Sequence, residues 1–172
     1  MLRKARIEDV RLIHAMVNLS ASRGEMLTRS LGELYDNLRD YIVFEDDGTI
    51  VGTCALHICW EDLCEIRSLC VSEASRKRGI GRKLVEACLT EARSYNVGRV
   101  FLLTYQVGFF ERCAFGVIDK KDLPQKIWSD CIKCHKFPEC DEIAMKILGA
   151  DVQNPTQCFS TRIGGGARCL LS

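Results

Sequence analysis

Residues 71–93, with the sequence VSEASRKRGIGRKLVEACLTEAR, constrain the fold of this chain more than any other stretch. The short apolar run at 66–71 predicts a buried strand, and the residues after Gly81 have the apolar spacing of an amphipathic helix. A basic turn with two glycines, residues 76–81, connects the two elements. Glycine lets the backbone approach a ligand closely, and the free N–H groups at a helix start attract anions. The stretch therefore predicts an anion site whose arginines suit a pyrophosphate.

The spacing of the glycines narrows the choice of phosphate ligand. A dinucleotide loop needs three glycines and a P-loop needs Gly-Lys-Ser/Thr, and neither pattern is present. What remains is Arg-x-x-Gly-x-Gly, which resembles the acetyl-CoA pyrophosphate loop of the GNAT N-acetyltransferases. The alternative interpretation is a glycine-containing turn with a solvated basic face.

This resemblance implies a set of acetyl-CoA contacts. Backbone N–H groups at the end of the preceding strand would bind pantetheine and polarise the thioester carbonyl, and the basic turn would hold the pyrophosphate. The implied residues are Leu69, Cys70, Val71, Arg76, Lys77, Arg78, Gly79, Ile80, Gly81 and Arg82.

The predicted order of elements matches the same family. Strands are predicted at 2–5, 41–45, 50–58, 64–71, 99–104, 115–118 and 143–148, and helices at 8–20, 31–38, 82–93 and 108–113. This order resembles the GNAT fold, an α/β (α+β) architecture with a mixed, mostly antiparallel central sheet flanked by helices. In that fold the fourth and fifth strands splay apart to admit pantetheine. We expect one domain over 1–148 and a flexible tail over 149–172, where patterning fades.

Composition excludes several other classes. The chain has 172 residues, 47% of them hydrophobic, and a net charge of +1, which gives no general affinity for nucleic acid or a membrane surface. The N-terminus lacks a signal-peptide core, and eleven cysteines without such a signal indicate reduced thiols. We expect a cytoplasmic protein with a small-molecule substrate, and a homodimer is left open.

Other segments are similar to the N-acetylglutamate synthases, the amino-acid acetyltransferase branch of the family. They include Arg29-Ser30, the strand that begins at Glu65, Leu103-Thr104 and the Phe-Phe-Glu run at 109–111. This similarity implies a single-domain synthase that acetylates the amine of a small amino acid, with L-glutamate favoured, in the first step of arginine biosynthesis. The implied acceptor residues are Arg29, Arg67 and Tyr105.

Two departures from the family pattern bear on this interpretation. Many GNAT enzymes have a tyrosine in the short helix as the acid for the leaving thiolate, and here Phe110 stands in that position. The synthases place carboxylate-binding arginines where this chain has Tyr105 and Cys113, so Arg29 and Arg67 would have to replace them.

Acetyl transfer to an amine needs a group that accepts the proton of that amine. Glu65 is the candidate base, acting through water, and its alternative role is an ion pair with Arg67. Two further functional interpretations stay open: acetylation of a peptide N-terminus or another amine, and a non-catalytic acetyl-CoA sensor.

A cysteine-rich segment follows the predicted sixth strand. Cys131, Cys134, His135 and Cys140 are the ligand types of a structural zinc site, although a second Cys-x-x-Cys is missing. The alternatives are a loop of free thiols and a redox switch.

Overall fold

Seven strands in one sheet dominate the computed structural model, which describes residues 1–123 and 139–148. The strands are β1 (Leu2–Lys4), β2 (Tyr41–Asp46), β3 (Thr49–Trp60), β4 (Leu63–Val71), β5 (Arg99–Thr104), β6 (Gly116–Val117) and β7 (Ile143–Leu148). Their spatial order is β1-β2-β3-β4-β5-β7-β6. Only the β4–β5 pair is parallel, so the sheet is mixed and mostly antiparallel, as predicted.

Four α-helices lie within residues 1–123 and 139–148. They are α1 (Val10–Ser22), α2 (Leu31–Asp36), α3 (Ile80–Ser94) and α4 (Val107–Glu111). The start of α2 has the capping box that its sequence predicts: Glu33 N–H donates to Ser30 Oγ at 3.2 Å, and Ser30 N–H donates to Glu33 Oε2 at 2.7 Å.

Alternating side chains along the strands build a core on each face of the sheet. Cys54 and Leu56 of β3 pack with the apolar stripe of α3, whereas the intervening Ala55 packs with α1 and α2. Strand β5 is buried on both sides, because Val100 and Leu102 join the α3 cluster and Phe101 lies in a third cluster. Helices therefore cover both faces, which is the expected α/β architecture.

Three differences from the prediction affect the sheet, and the other observed bounds lie within two residues of the predicted ones. Strand β3 extends to Trp60, because Trp60 pairs with Leu63 across a tight turn. Strand β6 is reduced to two residues, since Ala114 has a φ of 68° and the Phe115 N–H bonds back to Phe110. Strand β7 lies between β5 and β6, so the shorter β6 forms the sheet edge.

Two sequence predictions lie wholly or mostly outside the described residues. Cys131, Cys134 and His135 of the suggested zinc cluster belong to residues 124–138, and the suggested tail belongs to residues 149–172. The seven described cysteines are free thiols, as the sequence predicts for this part of the chain. No helix within residues 1–123 and 139–148 is both long and apolar enough to cross a membrane.

Candidate active site

A gap separates β4 and β5 toward their carboxyl ends. Their parallel pairing runs only from Leu63 to Glu65, opposite Arg99 to Phe101. Beyond that point a cavity of about 620 Å³ opens between them. It is bordered by the end of β4, the end of β5, the start of α3, one side of α4 and Glu142 just before β7. Ligands bind outside the carboxyl ends of strands in many α/β sheets, and this gap provides such a site.

A β-bulge shapes the β4 side of the gap. Thr53 of β3 pairs with Cys70 and Ala55 pairs with Arg67, so β4 has one residue more than β3 across this interval. Ser68 in the bulge has a φ of 55°, a left-handed conformation that is costly for a residue with a side chain. A bulge leaves backbone groups outside the strand ladder. Those of Ser68 and Leu69 lie at the cavity wall, where they could donate to a carbonyl oxygen.

The turn before α3 exposes helix N–H groups at one end of the cavity. Gly79 is the N-cap with a φ of 76°, and no side chain caps the helix start. Lys77 is also left-handed, with a φ of 63°. A Cβ on Gly81 would come within 3.3 Å of the Phe109 ring, so glycine there allows α3 to approach α4 closely. This end of the cavity therefore presents backbone donors and the positive end of a 15-residue helix to an anion.

The arginines of this turn and of the start of α3 pair with carboxylates, two from other elements and one from α3 itself. Arg76 Nη2 is 2.7 Å from Glu25 Oε2, and two analogous pairs join Arg78 to Asp46 at 2.8 Å and Arg82 to Glu86 at 3.0 Å. All three guanidinium groups are exposed by more than two fifths, so these ion pairs are weak in water. A phosphate ligand would exchange them for stronger charge-assisted hydrogen bonds.

Helix α4 contributes an aromatic wall. Phe109 and Phe110 both border the cavity, and their rings meet edge to face with centroids 4.9 Å apart. Phe110 is buried against Phe115 at 5.8 Å and has no hydroxyl to protonate a leaving thiolate. Burial raises the pKa of the neighbouring Cys113 thiol to about 11, which makes this thiol inert at neutral pH.

Arg67 is the cation on the opposite side of the sheet from α3. Its neighbour Ile66 packs in the α3 cluster, so Arg67 projects to the α1 and α2 side, where it borders the cavity and is 15% exposed. Its guanidinium lies 3.4 Å from Asn37 Oδ1, 3.7 Å from Asp40 Oδ2 and 3.8 Å from Glu65 Oε2. All three distances are long for a charge-assisted hydrogen bond, so a carboxylate ligand could bind Arg67 more closely.

The other residues named from the sequence lie around the cavity rather than in its wall. Glu65 is the last β4 residue paired with β5 and is 17% exposed. Arg29 is 3.4 Å from Glu33, and its backbone is fixed by Asn18. Tyr105 donates from its hydroxyl to Asp141 Oδ1 at 2.6 Å. None of the three is among the cavity-lining residues in the described part of the chain.

Arg29 and Arg67 nevertheless both influence the pKa of one residue, Tyr41. Tyr41 is buried, and its hydroxyl donates to Ser68 Oγ at 3.2 Å. Burial raises the pKa of Tyr41, while the bond to Ser68 and the charges of both arginines oppose that rise. The two arginines therefore share one electrostatic neighbourhood beside the bulge.

Sequence reasoning missed three charged residues of the wall, Glu25, Arg112 and Glu142. Glu25 lies in the α1–α2 loop and Arg112 follows α4, and no local pattern marks either of them. Glu142 could have been found, because it immediately precedes a strand that runs antiparallel to β5 and so begins at the edge where β5 ends.

The structure combines a mixed sheet that opens between β4 and β5 with a helix N-terminus at the gap that suits an anion. The family model of the Acetyltransferase (GNAT) family matches residues 13–115, and the chain belongs to this family. It is an acetyl-CoA-dependent N-acetyltransferase.

Individual relatives extend the match over most of the chain. The chain is 42% identical over 144 residues to an uncharacterized N-acetyltransferase of Chlorobaculum tepidum, covering 84% of this chain and 93% of that protein. It is 31% identical over 156 residues to the amino-acid acetyltransferase of Mycobacterium tuberculosis, covering 86% and 89%. Among solved structures, the N-acetylglutamate synthase of Neisseria gonorrhoeae with coenzyme A and N-acetyl-glutamate superposes with a TM-score of 0.77 at 25% identity. That match covers 87% of this chain and 35% of the longer synthase.

Proposed function

We propose that the protein transfers the acetyl group of acetyl-CoA to the α-amine of a small amino acid, with L-glutamate favoured, in the first step of arginine biosynthesis. The observation that carries the choice of acceptor is Arg67. This cation borders the cavity on the side away from α3, and its guanidinium contacts to Asn37, Asp40 and Glu65 are 3.4, 3.7 and 3.8 Å long. The relatives named amino-acid acetyltransferase and the synthase structure with N-acetyl-glutamate support the same choice.

In this proposal the two ends of the cavity have different roles. The pyrophosphate lies against the N–H groups at the start of α3, with Arg76, Arg78 and Arg82 around it. Pantetheine passes between β4 and β5, and the bulge at Leu69 supplies an N–H donor to the thioester oxygen. The amine then forms the new N–C bond while the C–S bond breaks, and the CoA thiolate leaves.

Glu65 remains the candidate base. Because it does not border the cavity, it would receive the amine proton through water, and its contact with Arg67 at 3.8 Å is long enough to coexist with that role. Cytoplasmic residence is part of the same proposal, since acetyl-CoA is the co-substrate.

Steady-state kinetics with L-glutamate tests the choice of acceptor. Arg67→Ala should raise the KM for L-glutamate by roughly tenfold or more, since a carboxylate loses a charge-assisted partner. Arg29→Ala should raise it less, because Arg29 lies behind the wall. The KM for acetyl-CoA should stay unchanged in both.

Arg99→Ala is the matched control, because Arg99 pairs with Asp62 at the start of β5, at the other end of the strand from the cavity. Acetyl transfer to L-glutamate that is unaffected by the loss of Arg67 would contradict the assigned binding mode. Absence of transfer to L-glutamate alongside transfer to a peptide N-terminus would contradict the acceptor itself.

A further inference from the structure

A buried carboxylate, Glu142, lines the cavity and has no role in the function proposed above. Glu142 is 6% exposed and borders the same cavity as Arg67 and Ser68. Glu142 also accepts a long contact from Cys140 Sγ at 3.9 Å. At so buried a wall position, the carboxylate would attract a cationic group of a ligand more strongly than it would in water.

Strand register places Glu142 beside the end of the gap. Ile143 pairs with Thr104, the last residue of β5, so Glu142 lies just beyond the carboxyl end of that strand. Thr104 and Gln106 line the cavity between Glu142 and the β4 bulge. The acetyl thioester must lie near this bulge if Leu69 donates to its oxygen.

Alternation along β7 indicates the face on which Glu142 lies. Met145 and Ile147 pack in the α3 cluster, whereas Ala144 packs with Leu63 and Phe101 in a separate cluster. Glu142 is two residues before Ala144, and Arg67 likewise lies on the side away from α3. Arg67 and Glu142 therefore both border the cavity on the side of the sheet away from α3, one as a cation and the other as an anion.

The charges at the opposite end of the cavity are different. Arg76, Lys77 and Arg82 line the cavity from the basic turn and the start of α3, and Glu25, which also lines it, is 2.7 Å from Arg76. That end suits a polyphosphate. The pair of Arg67 and Glu142 suits a zwitterion, whose carboxylate and amino group carry opposite charges.

We propose that Glu142 binds the amino group of the acceptor and directs it toward the thioester, while Arg67 binds a carboxylate of the same molecule. This role deepens the proposed function and rests on it only for the acceptor being an amino acid. It is a substrate-binding role, separate from that of Glu65 as the base.

The role of Glu142 can be tested by comparing an acceptor with its analogue that lacks the amine. Wild-type protein and Glu142→Gln would be assayed with L-glutamate as acceptor and with glutarate as a competitive inhibitor. We expect the KM for L-glutamate to rise about tenfold or more in Glu142→Gln, because one charge-assisted contact is lost. The inhibition constant of glutarate and the KM for acetyl-CoA should change less than about twofold, since glutarate has no amine.

Two variants guard against a purely structural effect. Glu142→Asp retains the charge and should recover part of the lost acceptor affinity, and it replaces Glu142→Gln as the test protein if the latter does not fold. Glu61→Gln removes an exposed carboxylate from the β3–β4 turn and should behave as wild type. An equal loss of affinity for L-glutamate and glutarate, or no loss for either, would overturn the proposal.

Failure of the proposed function gives a different result. If the wild-type protein acetylates another primary amine and not L-glutamate, the acceptor assignment fails. The same comparison then uses that amine and its desamino analogue. Glu142→Gln must still weaken the binding of the amine and leave the binding of the analogue unchanged.

Discussion

Gly79 shows how one residue sets the geometry of the donor site. Its φ of 76° allows the chain to turn from the basic loop into α3, and a side chain there is strained even though the space around it is open. A left-handed conformation costs an L-residue about 1–2 kcal/mol. The start of α3 would shift to relieve that strain.

We therefore expect Gly79→Ala to weaken CoA binding by roughly tenfold and to lower the melting temperature slightly. Isothermal titration with CoA and thermal unfolding measure the two effects. Gly98→Ala is the control, because Gly98 has neither a left-handed backbone nor a neighbour within 4 Å of an added Cβ. Equal CoA affinity in wild type and Gly79→Ala would contradict the role of this turn.

At the scale of elements, the α1–α2 loop is tied to the basic turn and its flank by ion pairs. Arg23 Nη1 is 2.6 Å from Glu73 Oε1, and Glu25 is 2.7 Å from Arg76. The hydrogen bond from Arg76 to Glu25 is also the main reason that the pKa of Arg76 is raised. A phosphate must compete with Glu25 for this guanidinium.

Removing that competition should improve donor binding. We expect Glu25→Gln to lower the dissociation constant of CoA by roughly two- to fivefold, which is the range for one exposed ion pair. The gain should shrink at high salt, because exposed charges are screened. Asp62→Asn, which breaks the exposed pair with Arg99 at the other end of β5, should leave CoA binding unchanged. Weaker CoA binding in Glu25→Gln would instead mean that Glu25 orders the turn for its ligand.

The elements themselves could be predicted from the sequence where the pattern is local. The apolar run of β5 and the alternation of β7 gave both strands with their observed bounds, and the Ser30–Glu33 capping box fixed the start of α2. The bulge at Ser68 was not predicted, because its left-handed backbone depends on pairing with β3 rather than on a local turn residue.

The candidate site likewise contains residues that could be predicted from the sequence and residues that could not. The basic turn is contiguous in sequence, so its residues could be named together, and all of residues 76–82 except Arg78 line the cavity. Acceptor-side residues come from segments far apart in the chain. Which of them meet depends on the order of strands, and in particular on β7 lying beside β5. Arg112 therefore escaped sequence reasoning, and Glu142 could have been named only by assuming that β7 runs antiparallel beside β5.

At the scale of the whole molecule, a partly buried ion pair links β1 to the residue that precedes α1. Arg3 donates to Asp9 at 2.6 and 3.1 Å, and the Arg6 N–H donates to the same carboxylate at 2.7 Å. Asp9 is buried, and the hydrogen bond from Arg3 is the main reason that its pKa is lowered. Because the folded pKa is depressed, this carboxylate contributes stability above its ordinary pKa of 3.8 and loses that contribution as the pH falls through the folded value.

We expect Asp9→Asn to reduce the free energy of unfolding by about 1–3 kcal/mol at neutral pH, since it leaves Arg3 with a weaker partner. The difference from wild type should diminish as the pH falls below 3.8 and through the lowered folded pKa of Asp9, where the wild-type carboxyl also becomes protonated. Urea unfolding at a series of pH values measures both effects. A difference that stays constant down to strongly acidic pH would show that the charge of Asp9 is not what stabilises the fold.

The central claim is that acetyl transfer to an amino acid takes place in the gap between β4 and β5. A competition between possible acceptors for the acetyl group tests this claim most directly. The purified protein would receive acetyl-CoA together with an equimolar mixture of the common amino acids and a peptide with a free N-terminus, and mass spectrometry would identify the acetylated products. We expect N-acetyl-L-glutamate to form first and to depend on Arg67. Acetylation of the peptide in preference to every free amino acid would contradict the assignment.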